Sequence, residues 1–466
     1  MVLTVTRITT VSSVDREIWR LAVPAFLALV AEPLFLLADA AIVGHLGTTQ
    51  LAGLGVAGAV IQTAVGLCVF LAYGTTASVA RHLGAGDLRG ALAQGIDGVW
   101  LAVGIGALTT LAGVALAGPL VDLFGATPEV SDAATTYLRI AFLGTTPLLV
   151  MLATTGVLRG LQDTRSPLVV AVAGNALNVV LNLLLVFGPG ALPHLGIAGS
   201  ALGSVLAQVA SAAALLLVVV RAARREQAPL RPDLAGIRAA AHAGVALVVR
   251  TLTLRAALLV TTYAVTLGAA DGFDQQVELA THQLAMTIWT FLAFVLDAIA
   301  IAAQAITGRY LGAGDAPGTR AVTRRMVTWG LRAGVVTGLL LALVSPLLGV
   351  LFTDDGAVRD QLVPVLLVAA LGQPVAGVVF VLDGVLIGAG DGRYLARAGL
   401  VTLVVYAPVA LALAHASAGL VAIWVAFAGL FMGARLVVLV SRERRDDWLV
   451  TGVGPATASS PPSPAA

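Results

Sequence analysis

RHLGAGD, Arg81–Asp87, returns as RYLGAGD, Arg309–Asp315, 228 residues further along the chain. The same shift lays GVLRGLQD, from Gly156, onto GVLIGAGD, from Gly384, and Leu123–Phe124 onto Leu351–Phe352. It also carries Leu51–Ala52 onto Leu279–Ala280. Four matches at one offset mark an internal duplication, so the fold of the first half is repeated in the second.

Composition says which solvent that fold meets. Hydrophobic residues make up 59% of the 466 and charged residues 11%, with a mean hydropathy of +0.97. Soluble chains are about 25% charged, so this one cannot clothe itself for water and lipid is its expected partner. Apolar runs of the roughly 20 residues that a bilayer core requires begin near Ile18, Gln50, Gly90, Asp132, Ser166 and Leu195. Six more begin near Ala240, Leu279, Val327, Gln361, Ala398 and Gly419. The runs are continuous rather than alternating, which predicts helices, not a barrel.

The expected fold is an all-α polytopic membrane protein of twelve transmembrane helices in two six-helix lobes related by a parallel repeat. Its boundaries are an N-terminal lobe at 1–222, a linker at 223–239, a C-terminal lobe at 240–447 and a disordered Pro/Ser/Ala-rich tail at 448–466. The first span is retained rather than cleaved, since its apolar run is too long for a signal peptide.

There is no lysine; all 27 basic residues are arginine. They gather at the N-terminus, in alternate loops and near Arg442–Arg445, while the opposite loops hold Asp122, Glu129, Asp354 and Asp355. By the positive-inside rule both termini are cytoplasmic, and the expected location is the cell membrane. The single Cys68 excludes an intrachain disulfide and a multi-cysteine metal site. The three Gly-Ala-Gly-Asp tetrapeptides at Gly84, Gly312 and Gly388 lack the Lys-Ser/Thr of a phosphate loop. They read as helix stops, each followed by an aspartate that starts the next helix.

Ionisable groups inside a span are costly and point to function. Glu32 and Asp39 stand two turns apart on one face of the first span, about 18 and 28 Å along the helix from Arg20. Pro24 and Pro33 offer bends in the same helix. A carboxyl in this setting can take a proton from one side and release it on the other. The fifth span carries Asn175, Asn178 and Asn182 on one face, a stripe that either glues helices together or lines a cavity. Gln62, Tyr137 and Gln208 are further polar candidates. In the second half Asp297 and Gln304 share a face and Asp383 lies in another span. The equivalents of both aspartates at the repeat offset are not acidic, so the halves share a frame and differ in chemistry.

With these residues in place the chain resembles the multidrug and toxic compound extrusion (MATE) transporters, most closely their DinF-like branch. The resemblance runs from Ile18 to about Arg445. It rests on Pro24 and Asp39 with IVGHLG behind them, LGAGD after the second and eighth spans, and GVLRGLQDTRSP after the fourth. LDAIAIAAQ and LDGVLIGAGD in the second half are branch-like. It implies a V-shaped pair of lobes exporting amphiphilic, often cationic, compounds in exchange for H⁺ or Na⁺. Asp39 matches the coupling position, whose protonation bends the first helix and displaces substrate. Tyr137, Asn178 and Asn182 match positions around it. Many members have an acid where this chain has Asn182, which weakens a sodium site built on paired acids.

The expected function is therefore a proton-coupled antiporter of small organic molecules, acting as a monomer. No enzyme activity, cofactor, metal or nucleic acid is expected. Asp39 and Glu32 are the cation-coupling candidates, with Glu32 either sharing the proton or holding the helix. Asn175, Asn178, Asn182, Tyr137, Gln62, Asp297, Gln304 and Asp383 are the cavity candidates. A sodium-coupled exporter and a lipid-linked precursor flippase are the alternatives. A flippase calls for a cationic cavity, whereas Arg139, Arg250, Arg255, Arg332 and Arg435 are scattered through the spans.

Overall fold

The computed structural model describes residues 11–188, 194–268 and 273–453. The first half is built from α1 (Val11–Gly44), α2 (Thr48–Leu67), α3 (Phe70–Gly84), α4 (Leu88–Asp122), α5 (Pro128–Leu143), α6 (Thr145–Gly160), α7 (Arg165–Phe187) and α8 (Gly196–Arg225). The second half follows with α9 (Leu234–Gly268), α10 (Phe273–Gly312), α11 (Ala316–Phe352), α12 (Gly356–Gly388), α13 (Gly392–His415), α14 (Leu420–Val425) and α15 (Met432–Glu443). A π-helical stretch, Ala426–Phe431, joins the last two.

Eleven of these segments are long and apolar enough to cross a membrane, with α2–α3 and α14–α15 each counted as one. The pair α5–α6, bent by 47°, makes twelve. The described residues contain no strand. The all-helical, twelve-span reading holds.

The duplication is visible in the packing. A Cβ on Gly156 would stand 2.6 Å from the Ala72 carbonyl oxygen, and one on Gly384 would stand 2.3 Å from that of Ala300. Gly160 meets Thr76 in the same way that Gly388 meets Gln304. Each pair in the second half lies at the offset read from the sequence. Two glycines a turn apart thus let α6 and α12 approach the equivalent helix backbone, the small-residue contact that spans use where no hydrophobic force draws them together. The loops repeat too: Asp87 caps α4 and Asp315 caps α11, each accepting the backbone N–H three residues on at 2.8 Å. Gly86 and Gly314 before them adopt φ of 78° and 77°. The third tetrapeptide differs. Gly390 makes the same turn, but Asp391 accepts from Arg442 Nε at 2.7 Å instead of capping α13.

By contact the chain divides into two compact units, one of Val23–Val248 and one joining residues up to Ala22 to those from Val249 onward. These limits differ from the lobe boundaries expected from the repeat, because each half's first helix is divided. At the start of α1, Asp15 takes a bidentate pair from Arg325 (2.7 and 2.5 Å) and a bond from Trp329 Nε1 (2.7 Å). Glu17 pairs with Arg309, and Trp19 packs edge-on to Trp329 at 5.4 Å. These ties hold the first turns of α1 to α10 and α11. In the other unit the start of α9 is held to α3 and α4. The Asp233 N–H donates to Asp97 (3.0 Å), Trp100 donates to the Leu230 carbonyl (3.0 Å) and Gly244 lies against the Phe70 ring.

Two boundaries shift for local reasons. The non-helical link between α8 and α9 spans only 226–233, inside the expected 223–239, because helix continues through Arg224 and Arg225. The tail expected to be disordered from 448 is held further: Trp448 is buried, its Nε1 bonds the Glu443 carbonyl, and the Gly452 N–H donates to Leu311 O. Residues 454–466 lie outside those described.

Candidate functional site

Asp39, in α1, is only 2% exposed, and three helices supply donors to its carboxylate. Ser200 Oγ from α8 makes a short bond to Oδ1, and Asn182 Nδ2 from α7 donates to the same oxygen at 2.8 Å. Tyr137 Oη from α5 donates to Oδ2 at 3.2 Å. The network continues outward: Asn182 Nδ2 also lies 3.2 Å from Asn178 Oδ1, and Asn178 Nδ2 donates to Ser204 Oγ at 3.0 Å. Residues 178 and 182 are one turn apart on α7, as are 200 and 204 on α8, so two helix faces meet along one line. Gly203 makes the meeting possible, since a Cβ there would stand 2.2 Å from Asn182 Oδ1.

Beside the carboxylate lies a cavity of about 400 Å³, walled by α1, α2, α5, α6 and α8. Its lining is largely apolar and small, with Phe35, Leu54, Gly55, Gly58 and Val205 prominent. Among the described residues Asp39 is the only charged one in the lining; Tyr137, Gln62, Thr145, Ser204 and Gln208 supply the other polar groups. A space of this size accepts a drug-sized molecule.

The structure thus brings Asp39, Tyr137, Asn178 and Asn182 together, with Gln62 on the cavity wall. Ser200 and Ser204 join them without any strong mark in the sequence. Their only signal is a four-residue spacing in the sixth span, shared with Gln208.

Other candidates lie apart. Glu32 is exposed, has no hydrogen-bond partner among the described residues and does not line the cavity. The helix α7 meets α1 one residue away, where Asn175 Nδ2 donates to the Ala31 carbonyl at 2.7 Å. Seven residues leave Glu32 and Asp39 within about 20° of one face, yet neighbouring helices cover only Asp39, and Glu32 stands outside its cavity. Asn175 thus ties α7 to α1 and stands outside the lining of this cavity. Pro24 and Pro33 both lie within α1, whose helix continues through them.

In the second half Asp383 is buried and takes two arginines. Arg250 makes a bidentate pair with it, one bond of 3.1 Å from Nε and a shorter one from Nη2, and Arg435 Nη2 lies at 3.1 Å. Arg435 also sits 5.8 Å above the Phe431 ring, at the end of the π-helical turn. The space beside this cluster is about 20 Å³, room for about one water. Asp383 lines this small space and is ion-paired within it, and two of the arginines that look scattered in the sequence converge there. Asp297 is half-buried in α10, and Gln304 is buried with its backbone against Gly388.

Comparison with known proteins places the fold. The family model MatE matches residues 24–184 and again 252–412, two stretches that begin 228 residues apart. The DNA damage-inducible protein F of Escherichia coli is 32% identical, over 81% of this chain and 81% of its own length. Protein DETOXIFICATION 44, chloroplastic, of Arabidopsis thaliana is also 32% identical, over 92% of this chain and 82% of that protein. Among solved structures, the Vibrio cholerae MATE transporter VcmN in its bent form superposes with a TM-score of 0.83 at 20% identity. That match covers 94% of this chain and 99% of the other.

Proposed function

The chain belongs to the MatE family, and from that premise we propose that it exports small amphiphilic or cationic organic compounds in exchange for protons, with Asp39 carrying the proton. The observation that supports this most is the placement of Asp39 as the one charged group, among the described residues, lining a drug-sized cavity, bonded to three other helices.

The donor set suits a proton carrier. An ionised carboxylate accepts from Ser200, Tyr137 and Asn182 together. When Asp39 takes a proton it becomes a donor itself, and either hydroxyl can turn to accept from it, since a hydroxyl both donates and accepts. The Asn182 Nδ2–H then faces a neutral carboxyl instead of a carboxylate, so that charge-assisted tie weakens. Protonation thereby loosens α1 from its neighbours. Because Phe35, Leu36 and Ala40 of α1 line the cavity, a shift of this helix reshapes the substrate's space. Proton uptake and substrate release are linked through one moving wall. An amide N–H from residue 182, in place of a second carboxylate, supports H⁺ over Na⁺ as the coupling ion.

In this reading the two halves work by alternating access, with both termini on the cytoplasmic side of the cell membrane. Efflux of a fluorescent cation from liposomes, driven separately by a pH gradient and by a Na⁺ gradient, tests the coupling ion. The pH gradient should drive export and the Na⁺ gradient should not.

A further inference from the structure

Two buried polar atoms of residues lining the cavity have no hydrogen-bond partner among the described residues: Thr145 Oγ1 and Gln208 Oε1. Thr145 is 2% exposed. Inside helices, Thr63, Thr75 and Thr154 donate to the carbonyl four residues back at 2.5–2.8 Å. Thr145 opens α6 just after the break in the α5–α6 span, and the carbonyl four residues back, Ala141 O, accepts from the Gly144 N–H instead.

Gln208 reaches the same break from α8. A Cβ on Gly144 would stand 2.0 Å from Gln208 Oε1, so the amide rests where any other residue would place a side chain. The start of α6 also lacks a side-chain cap. Broken helices inside a bilayer are tolerated where they line a cavity, and they supply backbone and side-chain groups to a ligand there. A buried polar atom without a partner is costly, and here two such atoms converge on one wall of the cavity that holds Asp39.

We infer that the Gly144 break, with Thr145 and Gln208, forms a neutral hydrogen-bonding subsite, and that compounds taken by this cavity dock an uncharged amino, amide or hydroxyl group there. The inference rests on reading the cavity as the export site. It makes Thr145 and Gln208 specificity-determining residues. Asp39 serves the proton, and the break selects among molecules of similar size and charge. A site built to pair a substrate's polar hydrogen discriminates strongly against an analogue that lacks it.

Two cations of similar size separate the possibilities: ethidium, which carries two aromatic amino groups, and tetraphenylphosphonium, which carries no hydrogen-bonding group. Binding of each is measured on the purified full chain in lipid nanodiscs, for wild type, Thr145→Val and Gln208→Met. Both changes keep side-chain volume, and an unchanged melting temperature without ligand certifies the fold of each variant. Each substitution should weaken ethidium about tenfold and leave tetraphenylphosphonium unchanged. Equal losses for both probes, or no loss for ethidium in either variant, would overturn the subsite. Wild-type protein that binds neither probe would instead overturn the reading of the cavity itself.

Discussion

The Tyr137 hydroxyl donates to Asp39 Oδ2 at 3.2 Å, so the fifth helix holds the carboxylate of the first. Asn182 and Ser200 hold its other oxygen. Removing the Tyr137 hydroxyl leaves Oδ2 without its only donor among the described residues, a loss of about 1–3 kcal/mol for a buried group. Tyr137→Phe should lower the melting temperature in detergent by several degrees and reduce pH-driven efflux. Equilibrium binding of the exported compound should remain, because the ring still lines the cavity. Binding lost in step with efflux would assign Tyr137 to substrate rather than to Asp39.

Asp383 sits between the buried guanidinium of Arg435 and the partly buried one of Arg250, a geometry whose value lies in its completeness. Breaking such a cluster by removing the shared carboxylate costs ~3–5 kcal/mol, because the remaining charges stay buried. Asp383→Ala should therefore cut the yield of folded protein and lower its melting temperature far more than Tyr137→Phe. Adding Arg435→Met to Asp383→Ala should recover part of the loss. A double variant less stable than the single one would show that Arg435 does not depend on Asp383.

The ties at the start of α1 are partly exposed, so solvent screens the ion pair of Asp15 with Arg325 and leaves it a weak hold. Trp329 adds both a hydrogen bond and a ring contact. Trp329→Ala should accordingly expose residues 13–22 to protease more than Arg325→Ala does. Digestion followed by mass spectrometry reads the difference. Equal protection in both variants would mean that the ring contact adds nothing to the ion pair.

Asp87 lies outside the spans, and the Gly90 N–H together with His82 holds its carboxyl below the usual carboxylate range. A carboxyl whose folded pKa is lowered contributes stability above its unfolded value, and that contribution fades as pH falls through the folded one. Asp87→Ala should cost about 1 kcal/mol at neutral pH and progressively less in acid. Melting curves from pH 7 down to pH 3 follow the convergence with wild type. Asp315→Ala, at the equivalent cap, should lose about the same at neutral pH.

Much of the fold is legible in the sequence because membranes simplify the problem. A bilayer demands long apolar helices, and duplication writes their arrangement twice, so the recurrence of RHLGAGD as RYLGAGD is enough to mark equivalent loops. Spacing also places Asn178 and Asn182 on one face. Periodicity shows which residues share a face but not which neighbour covers it. That is why Glu32 separates from Asp39, and why Ser200 and Ser204 draw no notice among the serines of an apolar helix. Arg250 and Arg435 meet at Asp383 across 185 positions of sequence, a contact that no local pattern encodes. Trp448 reads as the start of a polar tail because its neighbours are charged, yet the indole itself is buried.

The central claim, that Asp39 exchanges a proton for each exported molecule, is met most directly by measuring both fluxes at once. Wild type and Asp39→Asn are reconstituted in liposomes with a pH dye inside, and proton movement is recorded as substrate is driven outward. The account predicts proton counterflow in step with substrate for wild type, and neither flux in Asp39→Asn despite unchanged folding. Substrate-coupled proton movement that persists in Asp39→Asn would contradict it.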